Sequence, residues 1–279
     1  MNPDSNAART ASTTTDPQMQ QLMSKLAAQP TATWFGNWNT NVESDVNTLL
    51  GSAAQVNQIP VMVLYNIPGR DCSGGYSSGG AVSASAYDSW INAVAGGLNN
   101  RPAIVIVEPD ALAEISCLSA SNQSVRYQLL NYAVAKLKTD PRAKVYLDAG
   151  NPSWISAGTM AQRLNQAGIA KSDGFSLNVS NFYTTSENET YGQQISGLTG
   201  GKHFVIDTGR NGNGSDGQWC NPPGMALGHT PTADTGNSLV DYFLWIKVPG
   251  ESDGTCNGGP AAGTWWPWYA EELALNAGW

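Results

Sequence analysis

The stretch AIVIVEPDALAE, residues 103–114, runs five apolar residues straight into Glu108, Pro109 and Asp110. A short β-branched run bounded by turn residues reads as a buried strand, and proline cannot continue a hydrogen-bonded ladder. Pro109 therefore ends the strand, and it does so between two carboxylates. Six other stretches show a similar apolar run followed by polar residues: 31–38, 59–66, 144–150, 174–182, 203–212 and 242–254. Between them lie helical faces, marked for example by Val42, Val46, Leu49 and Leu50, by Tyr87, Ile91, Val94 and Leu98, and by Leu129, Leu130, Ala133, Val134 and Leu137. Met19, Leu22, Met23 and Leu26 mark an earlier one, and a last helix is expected near 267–277. Strands alternating with helices imply right-handed crossovers and a parallel sheet. About seven such strands predict an α/β fold: a distorted, incomplete, TIM-like parallel β/α barrel.

No shift in composition interrupts residues 17–279. A single domain over 1–279 is expected, with no attached binding module. Residues 1–16 are small and polar, and a loose or surface-tied arm is expected there. Only 13% of residues are charged and the net charge is −8, with no run of Lys or Arg. A nucleic-acid backbone or an anionic membrane would be repelled. No apolar stretch approaches the roughly 20 residues that span a bilayer, and no signal-peptide core follows Met1, which reads as a start residue added to a mature form. Four cysteines without a CxxC pair, alongside only two histidines, argue against zinc and for two disulfides in an oxidising compartment. Three connectivities are open at this point. The composition suits a secreted protein, with monomer as the default state.

The polar groups gather at the C-terminal ends of the strand runs. They are Asn37 and Trp38; Arg70 and Asp71; Glu108 and Asp110; Asp148; Asn178 and Asn181; Asp207 and Arg210; Lys247, Glu251 and Asp253. In a parallel α/β barrel these ends share the face on which active sites form. One carboxylate after a strand is as readily a helix cap. Seven polar ends make a pattern. Asp71, Asp110, Asp148 and Asp253 on one face would repel one another, which raises at least one pKa and keeps a carboxylic acid protonated for general-acid work.

Paired carboxyl groups without metal ligands or a strong nucleophile point to hydrolysis of a bond with a poor leaving group, and a glycosidic bond fits. Ten tryptophans agree, because sugar rings stack on indoles. Trp38, Trp154 and Trp219 are placed as platforms, and Trp90 and Trp245 in the core. Two other motifs carry less. GNGSDG, residues 212–217, fits a dinucleotide fingerprint, but QWCNPPG follows where a helix must start. GYSSG, residues 75–79, fits a nucleophile elbow with Ser77 and a distant His229, yet Ser77 lies well past its strand and two glycines follow.

The ordered segments YNIPGRDC, VEPDALA, YLDAG, IDTGRNGNG, WCNPPG and LWIKVPGESDG resemble glycoside hydrolase family 6, from about Thr31 to Trp279. The resemblance implies the incomplete α/β barrel and hydrolysis of β-1,4-glucan with inversion, without a cofactor, on cellulose and its oligosaccharides. It implies Asp110 as general acid, Asp71 as the group that keeps it protonated and steadies charge, and Asp253 as candidate base. Ser77 matches a serine that positions water, and Tyr65 a tyrosine that crowds the distorted sugar. Asp148, Lys247 and Glu251 match residues lining the cleft. Trp34, Trp38, Trp154 and Trp219 match sugar platforms, and Asn151, Asn178, Asn181 and Arg210 are taken as further substrate contacts. The implied disulfides are Cys72 with Cys117 and Cys220 with Cys256. Two positions depart from the pattern: Asn151 stands where His is general, and Gly209 where Ser is. Altered affinity or rate, with activity retained, is expected from both. Only residues 254–264 separate Asp253 from the last tryptophan cluster, too few for a long roofing loop, so endo action is expected. The alternatives are exo action of the cellobiohydrolase type and a glucan-binding protein without catalysis.

Overall fold

The computed structural model describes residues 2–279. The helices are α1 (Asn6–Thr13), α2 (Pro17–Ala27), α3 (Val42–Gln55), α4 (Ala84–Leu98), α5 (Ala120–Leu137), α6 (Ala157–Gln166), α7 (Thr185–Leu198) and α8 (Pro267–Asn276). The strands are β1 (Thr33–Phe35), β2 (Val61–Leu64), β3 (Ala103–Val107), β4 (Ala143–Asp148), β5 (Gly174–Leu177), β6 (His203–Asp207) and β7 (Val240–Leu244). They are hydrogen-bonded in chain order, β1 to β7. Every strand is shorter than its sequence run, and β7 begins two residues before its run, at Val240.

One compact unit comprises residues 33–177 and 190–205. Its strands β1 to β5 pair in parallel, with Leu64 against Val107 and Val107 against Leu147. All five residues of β3 are buried, as a strand covered on both faces must be. Phe175 stacks on Phe204 at 5.2 Å between ring centroids. Helices start where the sequence supplies caps: Ser83 accepts from the Ala86 N–H to open α4, and Ser119 from the Asn122 N–H to open α5. Each helix begins at the end of the sheet where the preceding strand stopped, which leaves the intervening loops for chemistry.

The other unit comprises the chain up to Ala32, residues 178–189 and residues 206–279. Its core joins Met19, Met23 and Leu26 of α2 to Trp245, Tyr269 and Leu273. Beyond β7, the Ala32 N–H donates to the Trp245 carbonyl at 3.1 Å. Within the stretch expected to be a loose or surface-tied arm, Asn6–Thr13 form a packed helix instead. Ser5 caps α1, Ala7 and Ala11 are buried one turn apart in this core, and the Trp265 indole N–H donates to Thr10 Oγ1. Small residues bury little area each, so composition hid a face that the i, i+4 alanines define.

Candidate active site

In the unit of residues 33–177 and 190–205, β3 ends at Val107 and the chain turns through Glu108, Pro109 and Asp110. Glu108 and Asp110 both take left-handed backbone, φ +53° and +72°, a conformation that costs energy and persists only when its surroundings impose it. Glu108 is the anchor. It is 1% exposed, and its carboxylate accepts from the backbone N–H groups of Asn66 and Ile67, each at 2.9 Å, just past β2. Burial pushes its pKa up to about 7 even against these donors. Sequence reasoning placed Glu108 at a strand end and gave it no role. The signal was there, since a carboxylate directly after a fully apolar strand must find donors inside the protein.

The Asp110 N–H donates to Asp148 Oδ2 at 3.0 Å, and Asp148 also accepts from the Gly150 N–H and from Ser176 Oγ. Asp148 is thus held as a backbone clamp, and burial raises it to about 6. Burial pushes the Asp110 carboxyl well above the usual carboxylate range, and the charges of Asp148, Glu114 and Asp71 add to it. A hydrogen bond with Tyr65 opposes that shift. The cluster therefore contains a carboxyl group that keeps its proton where an ordinary aspartate has lost it.

Asp71 sits in a loop held from several sides. Its own φ is +53°, its Oδ2 accepts the Ser77 N–H at 2.5 Å, and Cys72 is disulfide-bonded to Cys117. Ser73 Oγ donates to Glu114, the fourth carboxylate of the cluster and one not singled out from sequence. Arg70 ties the loop to β1 and β2. Its Nε donates to the Ser77 carbonyl at 2.7 Å, and its Nη1 to Asn37 Oδ1 and to the Tyr65 carbonyl. The guanidinium also stacks over Tyr65 and Trp38, 4.8 and 5.3 Å from the ring centroids. Trp34 meets Tyr65 edge-on at 5.4 Å, while Trp38 is 51% exposed.

Gly75 lies directly under the Asp71 carboxylate, where a β-carbon would come within 2.2 Å of Oδ1. Gly75→Ala is compatible with the local backbone, so the Asp71 side chain or its loop must move instead. We expect turnover to fall by about 10- to 100-fold, the scale on which ångström displacements act, with thermal unfolding near that of the wild type. Unchanged turnover would show that the Asp71 position is not critical.

Asn151 is tied into the loop after β4. It is 4% exposed, and its Oδ1 accepts the Ser153 N–H at 3.0 Å in the turn that presents Trp154. Trp154 itself is 38% exposed. The bond to Ser153 engages the side-chain carbonyl oxygen of Asn151 alone.

In the other unit the polar groups also converge. Asp253 is buried, and its Oδ2 accepts from Arg210 Nη1 at 2.8 Å and from the Asn221 N–H at 3.1 Å. Its Oδ1 faces Lys247 Nζ at 3.9 Å. Arg210 is 1% exposed, donates to the Ser180 carbonyl and lies 4.4 Å over the Phe182 ring. Burial lowers the Lys247 pKa and raises that of Glu251. Asp207, which carried no assigned role, accepts from the N–H groups of Ser180, Gly209, Ile246 and Lys247, and so fixes the backbone under Arg210 and Lys247. Asn178 donates to the Asp207 carbonyl and accepts from the Tyr183 N–H, and Asn181 donates to the Val179 carbonyl; both hold this loop together. Cys220 is bonded to Cys256, and Trp219 beside it is 51% exposed. Gly209 is closely packed, since a β-carbon there would stand 3.0 Å from the Lys247 carbonyl. A serine there would bring its β-carbon into tight contact with this loop.

Neither rival motif has its geometry. Helix α4 begins at Ala84, seven residues beyond Ser77, so GYSSG forms no strand-to-helix elbow. His229 stacks on Phe243 at 5.2 Å. No helix follows GNGSDG before α8. Among the described residues, no three His, Cys, Asp or Glu side chains are grouped to hold a metal ion.

A protonated carboxyl set among other carboxylates at the C-terminal ends of parallel strands is the acid-site chemistry of glycosidases. The chain belongs to the glycosyl hydrolases family 6, whose model matches residues 1–277. It is 51% identical over 260 residues to Endoglucanase A of Cellulomonas fimi, a match covering 92% of this chain and 57% of that protein. It is 42% identical to Endoglucanase 1 of Streptomyces halstedii, over 97% of this chain and 86% of the relative. The chain thus spans little more than half the length of the Cellulomonas protein. Among solved structures it resembles the endoglucanase Cel6 from Mycobacterium tuberculosis in complex with methyl-cellobiosyl-4-deoxy-4-thio-β-D-cellobioside. The TM-score is 0.96 at 47% identity, covering 100% of this chain and 96% of that one. The shared fold is the incomplete seven-stranded α/β barrel expected from the sequence.

Proposed function

We propose that this chain is an endo-acting β-1,4-glucanase that hydrolyses internal bonds of cellulose and related glucans with inversion. The observation that carries this reading is the Asp110 carboxyl, kept protonated by burial and by the charges of Asp148, Glu114 and Asp71. Asp110 donates its proton to the leaving glycosidic oxygen. Asp71, whose Oδ2 is held by the Ser77 N–H, stabilises the oxocarbenium-like transition state and orients water with Ser77. Tyr65, in contact with Trp34 and Arg70, crowds the reacting sugar. Asp253 has one oxygen committed to Arg210 and Asn221, which supports a part in fixing charge in the cleft more than a direct proton abstraction. Trp38, Trp154 and Trp219 are the exposed sugar platforms. Endo action is supported by the loop after Asp253, which folds back on its own stem: Ser252 Oγ donates to the Gly254 and Pro260 carbonyls, and the Gly263 N–H to the Ser252 carbonyl. Two disulfides and the likeness to endoglucanases support a secreted protein, and we take it as a monomer.

Proton NMR of the anomeric region during cleavage of cellohexaose tests the reading. Prompt α-anomer at internal bonds is expected. Prompt β-anomer would exclude inversion, cellobiose released only from one end would mean exo action, and binding without product would leave a glucan-binding protein.

The pH dependence has a definite sign. A general acid works while protonated, so activity is full below the Asp110 pKa and lost as pH rises through it. Because that pKa is raised, the alkaline limb of kcat/KM should lie well above 3.8, the ordinary value for aspartate. A limb near pH 4 would remove Asp110 from the role.

A further inference from the structure

Arg126 interrupts the buried face of α5. It stands three and four residues before Leu129 and Leu130, in register with Ala133, Val134 and Leu137, and is only 2% exposed. Its guanidinium donates to backbone carbonyls on two separate loops. Nη2 reaches the carbonyls of Pro68 and Gly69, at 2.8 and 2.7 Å, in the segment leading to Asp71. Nη1 reaches the carbonyl of Ala111 at 3.2 Å, the residue after Asp110. From α6, Arg163 Nη1 donates to the next two carbonyls, Leu112 at 2.6 Å and Ala113 at 2.9 Å. The Cys72–Cys117 disulfide joins the same two segments covalently.

Resting on the hydrolytic reading above, we propose that Arg126 is a positioning residue that sets the Asp71 loop against the Asp110 turn. A planar fork with donors at fixed angles can hold two backbones in one relative placement, which an ammonium cannot do. The charge is balanced by Glu108 and Glu114 nearby, and Tyr65 and Tyr87 also face it. Stability alone does not account for a guanidinium here, since Arg126 Nε is buried without an acceptor among the described residues, a cost that an apolar side chain would avoid. Sliding either loop past the other breaks bonds to Arg126. The separation of the two catalytic carboxyl groups is therefore fixed from behind, by a helix that touches no substrate.

The test compares Arg126→Met and Arg126→Lys with the wild type on two substrates. Cellohexaose needs a proton on its leaving oxygen, whereas 2,4-dinitrophenyl β-cellobioside does not. In folded variants, kcat on cellohexaose should fall by about 10- to 100-fold with KM within about twofold, and the loss on the dinitrophenyl glycoside should be several times smaller. Arg126→Lys, which reaches one loop at a time, should fall in between. It carries the test if the Met variant does not fold. Equal losses on the two substrates would overturn the proposal, because the Asp110 turn would then have kept its place, and wild-type rates in a folded variant would reduce Arg126 to packing. Wild-type protein inactive on both substrates would instead overturn the hydrolytic reading, and this proposal with it.

Discussion

Asp110→Asn should lower kcat/KM on cellohexaose by about 10²- to 10⁴-fold, the range that a positioned general acid contributes. Amide and carboxyl are nearly isosteric, so binding of the oligosaccharide should stay within a few fold. The loss should therefore appear in kcat, as expected for an interaction made only in the transition state. The alkaline limb of the pH profile should vanish with it, because the group responsible no longer titrates. Single-turnover kinetics and calorimetric binding on the same preparation check both halves. A variant that retains hydrolysis above a few per cent would transfer the acid role to Glu114 or Asp148, the other carboxyl groups whose pKa values are raised nearby.

The second large effect is on stability. Arg210→Met removes the main partner of a buried carboxylate, since Asp253 would keep only the Asn221 N–H and Lys247 at 3.9 Å. Breaking a buried pair from one side typically costs about 3–5 kcal/mol, because the remaining charge stays desolvated. Both side chains are at most 5% exposed, so solvent screening does not discount this figure. Loss of the stacking on Phe182 and of the bond to the Ser180 carbonyl acts in the same direction. Denaturant titration should show the midpoint moving down. The double variant Arg210→Met with Asp253→Asn should recover part of the loss, since the stranded charge is then gone. No recovery would mean that Arg210 acts through packing alone.

The strands were legible because buried parallel strands are continuous apolar runs, but their ends were not, since every strand stops short of its run. Asp71 and Asp110 follow from that pattern together with their neighbours. What the sequence hid was where each polar side chain points. Glu108, Asp207 and Asn178 lie at strand ends as expected, yet their oxygens and amides hold backbone groups. Asn151 was read from its difference from histidine, and its bond to the Ser153 N–H could not be read from the sequence. Arg126 was detectable as a charge on the apolar face of α5, but the two loops it joins lie up to 58 residues away, beyond any local pattern. Helix α1 was missed because alanines and threonines look like a tail until Trp265 and α2 are placed beside them.

The left-handed backbone at Asp71, Glu108 and Asp110 bears on how any mutational survey of this enzyme is read. Asparagine tolerates such φ values nearly as well as aspartate, whereas alanine and most other side chains pay about 1–2 kcal/mol to adopt them. An alanine scan would therefore mix a conformational penalty with the loss of a functional group at the very positions of greatest interest. At Asp71 and Asp110 the amide exchange isolates chemistry from backbone preference. For library design the same geometry narrows the usable alphabet at these sites to a few residues, while the exposed Trp38, Trp154 and Trp219 carry no such backbone restriction.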